Sequence, residues 1–258
     1  MTGVFVPLYI YPDAKGSADY QTIINTKKAH PLVPIICTVD VTSSGAGTAS
    51  DPNYVTWIKN LQLAGITVLG YVATGYGRRV GAVAQTEIDN WWNWYKVDGI
   101  FFDEMNNLGG GSGVYLTLSQ YAKAKGMTVT FGNPGTSTLL EYIGTVDNIC
   151  IYETSGMPAI ADLIANTILG APKNFSYIVF GVSTLDPTAV LATAPYVSFL
   201  SITNDSLSNP YDTIPPYLPD LVTLLDNVVI PPIPIPTPIP KPTTGKMKGT
   251  FTGTITLN

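Results

Sequence analysis

Charge is scarce in this chain. Only 12% of its 258 residues are Asp, Glu, Lys or Arg, about half the usual share. The 13 basic residues form no run, and the net charge is −5, which argues against a nucleic-acid backbone as partner. No apolar stretch reaches the roughly 18 residues of a membrane span. There are two cysteines, Cys37 in "VPIICTVD" and Cys150 in "NICIYE". Neither belongs to a metal-ligand spacing, and both read as buried free thiols. The single histidine, His30, precedes Pro31 and has no partners for a triad. The opening "MTGVFVPLYIYPD" lacks a basic region and a cleavage site, so no signal peptide is expected; a mature chain would read the same.

What the chain does have is recurrence. Eight short β-branched or aromatic runs follow one another: Val4–Ile10, Pro34–Asp40, Thr67–Val72, Gly99–Asp103, Thr128–Gly132, Asn148–Glu153, Tyr177–Val182 and Val197–Thr203. Most are almost continuously apolar, as strands buried on both faces of a parallel sheet are. Helical patterns lie between several of them. Asp51-Pro52 is a cap followed by Pro, and "YVTWIKNLQLAG" runs on to Gly65, a good stop. Three further patterns are "AVAQTEIDNWWNWYK", "VYLTLSQYAKAKG" ending at Gly126 and "AIADLIANTILG" ending at Gly170. Alternation at this pitch predicts an α/β fold, a (β/α)8 TIM barrel over residues 1–228. An open doubly wound sheet is the alternative, but no G-x-G-x-x-G follows the first strand. The aromatic group Trp91, Trp92, Trp94 and Tyr95 reads as packing between helix and barrel rather than as a sugar platform.

Composition changes after residue 228. Residues 229–243, containing "IPPIPIPTPIPKP", predict a proline-rich polyproline II linker. Residues 244–258, "TGKMKGTFTGTITLN", alternate as one β-strand does. A lone strand is unstable in water, so this tail is expected to meet a protein partner or another copy by strand addition.

Function in a parallel barrel gathers at the C-terminal ends of the strands. Polar residues there are Tyr9 and Tyr11 after the first run, Asp40 after the second, and Tyr71, Tyr76, Arg78 and Arg79 after the third. The fourth ends in Asp103 and Glu104, the fifth in Asn133, the sixth in Tyr152 and Glu153, and the eighth in Asn204 and Asp205. Carboxylates, tyrosines and amides with almost no Lys or His suit a polyhydroxylated ligand. Tyr9, Tyr11, Asp40, Tyr71, Tyr76, Arg78, Asn133, Tyr152, Asn204 and Asp205 are therefore candidates for binding it. Asp103, Glu104 and Glu153 are the candidates for catalysis, since glycoside hydrolysis needs two carboxyl groups flanking the scissile bond. Other readings of the same residues stand beside this one. Asp103 could cap the next helix with Glu104 paired to Arg78 or Arg79. Glu153 could cap "SGMPAIADL". Asp103, Glu104, Glu153 and Asp205 could hold a Mg-like cation, although no metal or other cofactor is expected.

Five stretches carry a resemblance: "VPLYIYP", "GITVLGYVATGYGRR", "WYKVDGIFFDEM", "FGNPGT" and "YETS". In this order they make the chain resemble the spherulation-specific family 4 (spherulin 4) proteins from Val6 to about Leu225. The resemblance implies a (β/α)8 glycoside hydrolase, endo-acting on α-1,4-linked N-acetylgalactosamine or galactosamine stretches of microbial exopolysaccharide. By position it makes Asp103 the nucleophile, Glu153 the acid/base and Glu104 a neighbouring essential carboxylate. Retention of configuration is the expectation, and a carboxyl separation of about 6.5–9.5 Å would mean inversion instead. One loop departs from the family: "VDVTSSGAG", Val39–Gly47, replaces an Asn-Pro-rich turn beside the cleft and leaves the sugar preference open. Action outside the cell or on a particle is the expectation. The alternative is a non-catalytic carbohydrate-binding or structural module of a cell surface or phage particle.

Overall fold

The computed structural model describes residues 1–42, 45–79, 81–167 and 169–227. Within them the eight runs are strands: β1 (Gly3–Leu8), β2 (Ile35–Val39), β3 (Thr67–Ala73), β4 (Gly99–Asp103), β5 (Val129–Gly132), β6 (Asn148–Ser155), β7 (Phe175–Phe180) and β8 (Phe199–Ile202). Each pairs in parallel with the next, and β8 returns to β1 through Gly3 opposite Phe199 and Val4 opposite Leu200. The result is a closed (β/α)8 TIM barrel. Its helices are α1 (Ser17–Ala29), α2 (Pro52–Leu63), α3 (Ala82–Asn90), α4 (Ser112–Lys125), α5 (Ile160–Thr167), α6 (Pro187–Thr193) and α7 (Leu218–Asp226). The linker 229–243 and the tail 244–258, with the partner contact expected there, lie outside the described residues. Among the described residues no helix is long and apolar enough to cross a membrane.

Burial explains the apolar runs. Every residue of β1 and β2 is buried, because one face of each strand fills the barrel and the other meets the helices. Phe5, Ile36, Leu69, Phe101, Phe131, Cys150 and Ile178 form the inner cluster, with the ring of Phe5 stacked 5.3 Å from Phe101. The alternate residues, such as Val68, Ile100 and Phe102, pack outward on the helices.

The capping signals act as the sequence suggests. Asp51 accepts from the amides of Asn53 at 2.8 Å and Tyr54 at 3.2 Å to start α2, and Gly126 ends α4 at φ 113°. The helices α1, α6 and α7 were not anticipated from pattern. In α1, "SADYQTIINTKKA", polar residues dilute the apolar stripe, although Tyr20, Ile23 and Ile24 are buried. His30, just after α1, reaches Asp226 at 2.9 Å through Nδ1 and Thr223 at 3.0 Å through Nε2. It clasps α1 to α7.

The aromatic group packs between helix and barrel. "WWNWY" forms a π-helical turn, Trp91–Tyr95, at the end of α3. Trp91 is fully buried against β3, and its Nε1 donates to the carbonyl of Tyr71 at 2.8 Å. That approach needs a glycine at position 70, since a methyl group there would overlap the indole. Gly70→Ala is expected to cost about 1–3 kcal/mol, read as a lower midpoint in denaturant melts. An unchanged midpoint would mean that the indole moves freely.

Candidate active site

Strand alternation places most of the site. Side chains two residues apart share a face. Tyr71, Asp103 and Asn133 each come two residues after a member of the inner cluster (Leu69, Phe101, Phe131). They stand above that cluster at the C-terminal mouth. Strand β6 breaks the alternation. Cys150 pairs with Ser176 and Glu153 with Ile178, so three steps on β6 oppose two on β7. This bulge re-aims the strand. Cys150 faces in, yet Glu153, three residues later, faces in as well.

The two carboxylates then meet across one amide. Asn133 Nδ2 donates to Asp103 Oδ1 at 2.8 Å and to Glu153 Oε2 at 2.6 Å. Those two oxygens are therefore no farther apart than the sum of the two bonds, about 5.4 Å. The Asn133 side-chain oxygen, Oδ1, accepts from the Gly135 amide at 2.9 Å, which orients the NH2 toward the acids. Asp103 Oδ2 takes the Tyr71 hydroxyl at 2.7 Å. Burial, and then the charge of Glu153, push the Asp103 carboxyl up to about 6. The Tyr9 and Tyr71 phenols are pushed up, first by burial and then by the charge of Asp103. They are therefore neutral donors.

Tyr9, Tyr71 and Asp103 open on a cleft of about 490 Å³ lined also by Tyr11, Asp40, Val41, Tyr54 and Asn209; Glu153 is half-buried and is not part of that lining. The Tyr9 ring meets Tyr71 edge-on at 5.7 Å. Tyr11, 48% exposed, forms an outer wall with its hydroxyl held by Asp51 and Asn53. Asp40 accepts from the amides of Gly45 at 2.9 Å and Thr42 at 3.3 Å.

Other anticipated residues are placed elsewhere. Tyr152 is turned away by the same bulge that turns Glu153 in. It packs on the outer core and lines a separate hollow with Asp162 and Asn166. Glu104 follows Asp103 with φ 51°, and its Oε2 accepts from the Gly75 amide at 3.0 Å. It ties the β3 loop to the β4 loop. Tyr76 and Arg78 are exposed on that β3 loop, with Arg78 Nε on the Gly75 carbonyl at 3.0 Å. Arg79 pairs with Glu87 at 3.2 Å. Asn204 is exposed, and Asp205 accepts from the Ser206 amide at 2.9 Å and the Thr213 hydroxyl at 3.0 Å. The helix-capping readings of Asp103 and Glu153 therefore do not hold, because Asn133 and tyrosine hydroxyls take their oxygens. The four acids of the cation reading do not converge.

Tyr211 was not anticipated. It donates a short hydrogen bond to Glu153 Oε1, its ring meets Tyr9 edge-on at 5.5 Å, and its carbonyl accepts from the Tyr9 amide at 3.1 Å. It sits beyond the last strand, where strand-end reasoning stops. Its one local signal is the turn "SNPYD".

A model of spherulation-specific family 4 matches residues 3–225. The chain belongs to that family. It is 32% identical to spherulin-4 of Physarum polycephalum over 155 residues, which is 59% of this chain and 45% of that protein. The chain thus matches less than half the length of that relative. Its barrel superposes on the crystal structure of Aspergillus clavatus Sph3 in complex with GalNAc with a TM-score of 0.74 at 22% identity, covering 87% of this chain and 97% of Sph3. A chitinase from Chromobacterium violaceum superposes with a TM-score of 0.50 at 14% identity, over 70% of this chain and 69% of the chitinase. At these identities the structural likeness concerns the fold, and chemistry has to be argued from this family member's own site.

Proposed function

We propose that this family member is a retaining endo-glycosidase acting on amino-sugar polysaccharide. The observation that carries the reading is the amide of Asn133 shared by Asp103 and Glu153. It keeps one oxygen of each acid within about 5.4 Å of the other, which supports the short separation of about 5–5.5 Å found in retaining enzymes over the 6.5–9.5 Å that leaves room for water in inverting ones. Asp103, anchored by Tyr71 and Asn133, attacks the anomeric carbon while Glu153 gives its proton to the departing oxygen. Water then attacks the glycosyl–Asp103 ester, Glu153 takes the water's proton, and both acids return to their starting state. Tyr9, Tyr11 and Tyr71 offer ring faces and edges to a sugar, and Asp40 offers an acceptor to hydroxyl or amino groups. Family membership supports a glycan substrate, and the GalNAc bound to Sph3 makes galactosamine-type polymers the first to try.

Acids this close hold one proton as a pair. The proton that the first step needs is lost as pH rises through about 6, the value to which Asp103 is pushed. Reducing-end release from a panel of amino-sugar and neutral polysaccharides is therefore expected to appear on an amino-sugar polymer. Its kcat/KM should decline above about pH 6. Binding of polymer without release of ends at any pH would instead identify a carbohydrate-binding module.

A further inference from the structure

Glu153 has two partners of different character. Asn133 Nδ2, on Oε2, can only donate. The Tyr211 hydroxyl, on Oε1, can donate or accept. When Glu153 carries the proton, only the Tyr211 side has a partner able to accept it, so the proton belongs on Oε1. We infer that Tyr211 is the positioning residue that fixes the proton of Glu153 on Oε1 and stabilises the charge left there when the proton departs. This rests on the acid/base reading of Glu153. As the proton passes from Oε1 to the glycosidic oxygen, the Tyr211 hydroxyl turns from accepting to donating. Its bond to the new carboxylate is thus strongest after transfer, when it assists most.

The loop after β8 is built to hold this hydroxyl. Asp205 takes the Thr213 hydroxyl at 3.0 Å across the loop. The Asp205 carbonyl takes the Gly181 amide at 2.6 Å, and the Tyr211 carbonyl takes the Tyr9 amide at 3.1 Å. The titratable groups facing the pair are Asp40 on β2's end, Tyr9, Tyr71, Cys150 and Tyr211 itself. Among the described residues none of these is a cation, so the charge on the acids is offset by neutral donors: Asn133, Tyr71, Tyr211 and the Glu104 amide.

Tyr211→Phe tests this, since the ring and its contact with Tyr9 are kept. On polysaccharide its kcat/KM is expected to fall about 10–100-fold, within the range that general acid–base catalysis supplies. Loss of a donor to the carboxylate makes the pair hold its proton longer. The basic limb should therefore move up by about one to two pH units. Carboxyl 13C NMR of the free protein, with the pair assigned by its loss in Asp103→Asn and Glu153→Gln, should show the same upward move without any substrate. Incorporation of 3-fluorotyrosine at position 211, a stronger donor, should move it down. If the NMR titration is unmoved by both changes, or if Tyr211→Phe lowers only the melting temperature, Tyr211 is a structural brace and the inference fails. If the titration moves but wild type releases no reducing ends from any polymer, Tyr211 still governs the proton and it is the glycosidase reading that fails.

Discussion

Asp103→Asn is expected to abolish turnover on polysaccharide and, at pH 7, to raise the melting temperature. The loss follows from the proposed role of nucleophile: an amide cannot form the glycosyl ester, and removal of a nucleophile costs about 10⁴-fold or more. The gain follows from the surroundings. Burial and the charge of Glu153 raise the Asp103 carboxyl from 3.8 to about 6. A raised acid costs the fold nothing while protonated, below its unfolded value, and its penalty is complete once pH has passed its folded value. At pH 7 that penalty is at most about 3 kcal/mol, or several degrees for a domain of this size. Asparagine removes the charge and keeps both bonds. Its oxygen accepts from Asn133, and its NH2 donates to the Tyr71 hydroxyl, which can accept. Thermal melts of wild type and variant should therefore be widest apart near pH 7 and converge toward pH 4. An active variant would remove Asp103 from the nucleophile role. A variant less stable at pH 7 would show that the carboxylate is net stabilising where it stands.

The barrel was legible because its strands are buried on both faces, which leaves continuous apolar runs bounded by turns. Asp103 was legible for the same reason: a charge straight after "GIFF" marks the strand's end. Legibility stopped where geometry departs from alternation. Tyr152 and Glu153 are neighbours at one strand end, and nothing in their spacing says which faces in. Strict alternation from Cys150 would choose Tyr152; the bulge chooses Glu153. Glu104 looked like a second acid of the site, but its left-handed backbone turns its carboxylate to the Gly75 amide. Asp205 looked like a cleft residue and is a loop tie instead. Tyr211, brought in by that tie, lies 58 residues from Glu153, and a single sequence gives no means of pairing the two. Asn133 was anticipated as a sugar ligand. Its placement between two acids gives it a different part, since it sets their separation.

Glu153→Ala is expected to separate leaving-group chemistry from nucleophilic attack. On polysaccharide, where the departing oxygen is a poor leaving group, kcat/KM should drop by at least about 10²-fold, the lower end of what a general acid supplies. An aryl glycoside of the same sugar with an acidic phenol needs no proton to depart. Asp103 should still attack it, giving a burst of phenol as the ester accumulates, because water now lacks its base. Azide needs no base. Added azide should restore turnover and give a glycosyl azide with the substrate's own anomeric configuration, since two displacements have occurred at one carbon. An azide product of opposite configuration would mean a single displacement and would move the site to the inverting class. Absence of both burst and rescue, in a variant that still melts cooperatively, would take the acid/base role from Glu153. The retained product, by contrast, would place the ester on the acid across the Asn133 amide, because among the described residues no other carboxylate is hydrogen-bonded to that amide.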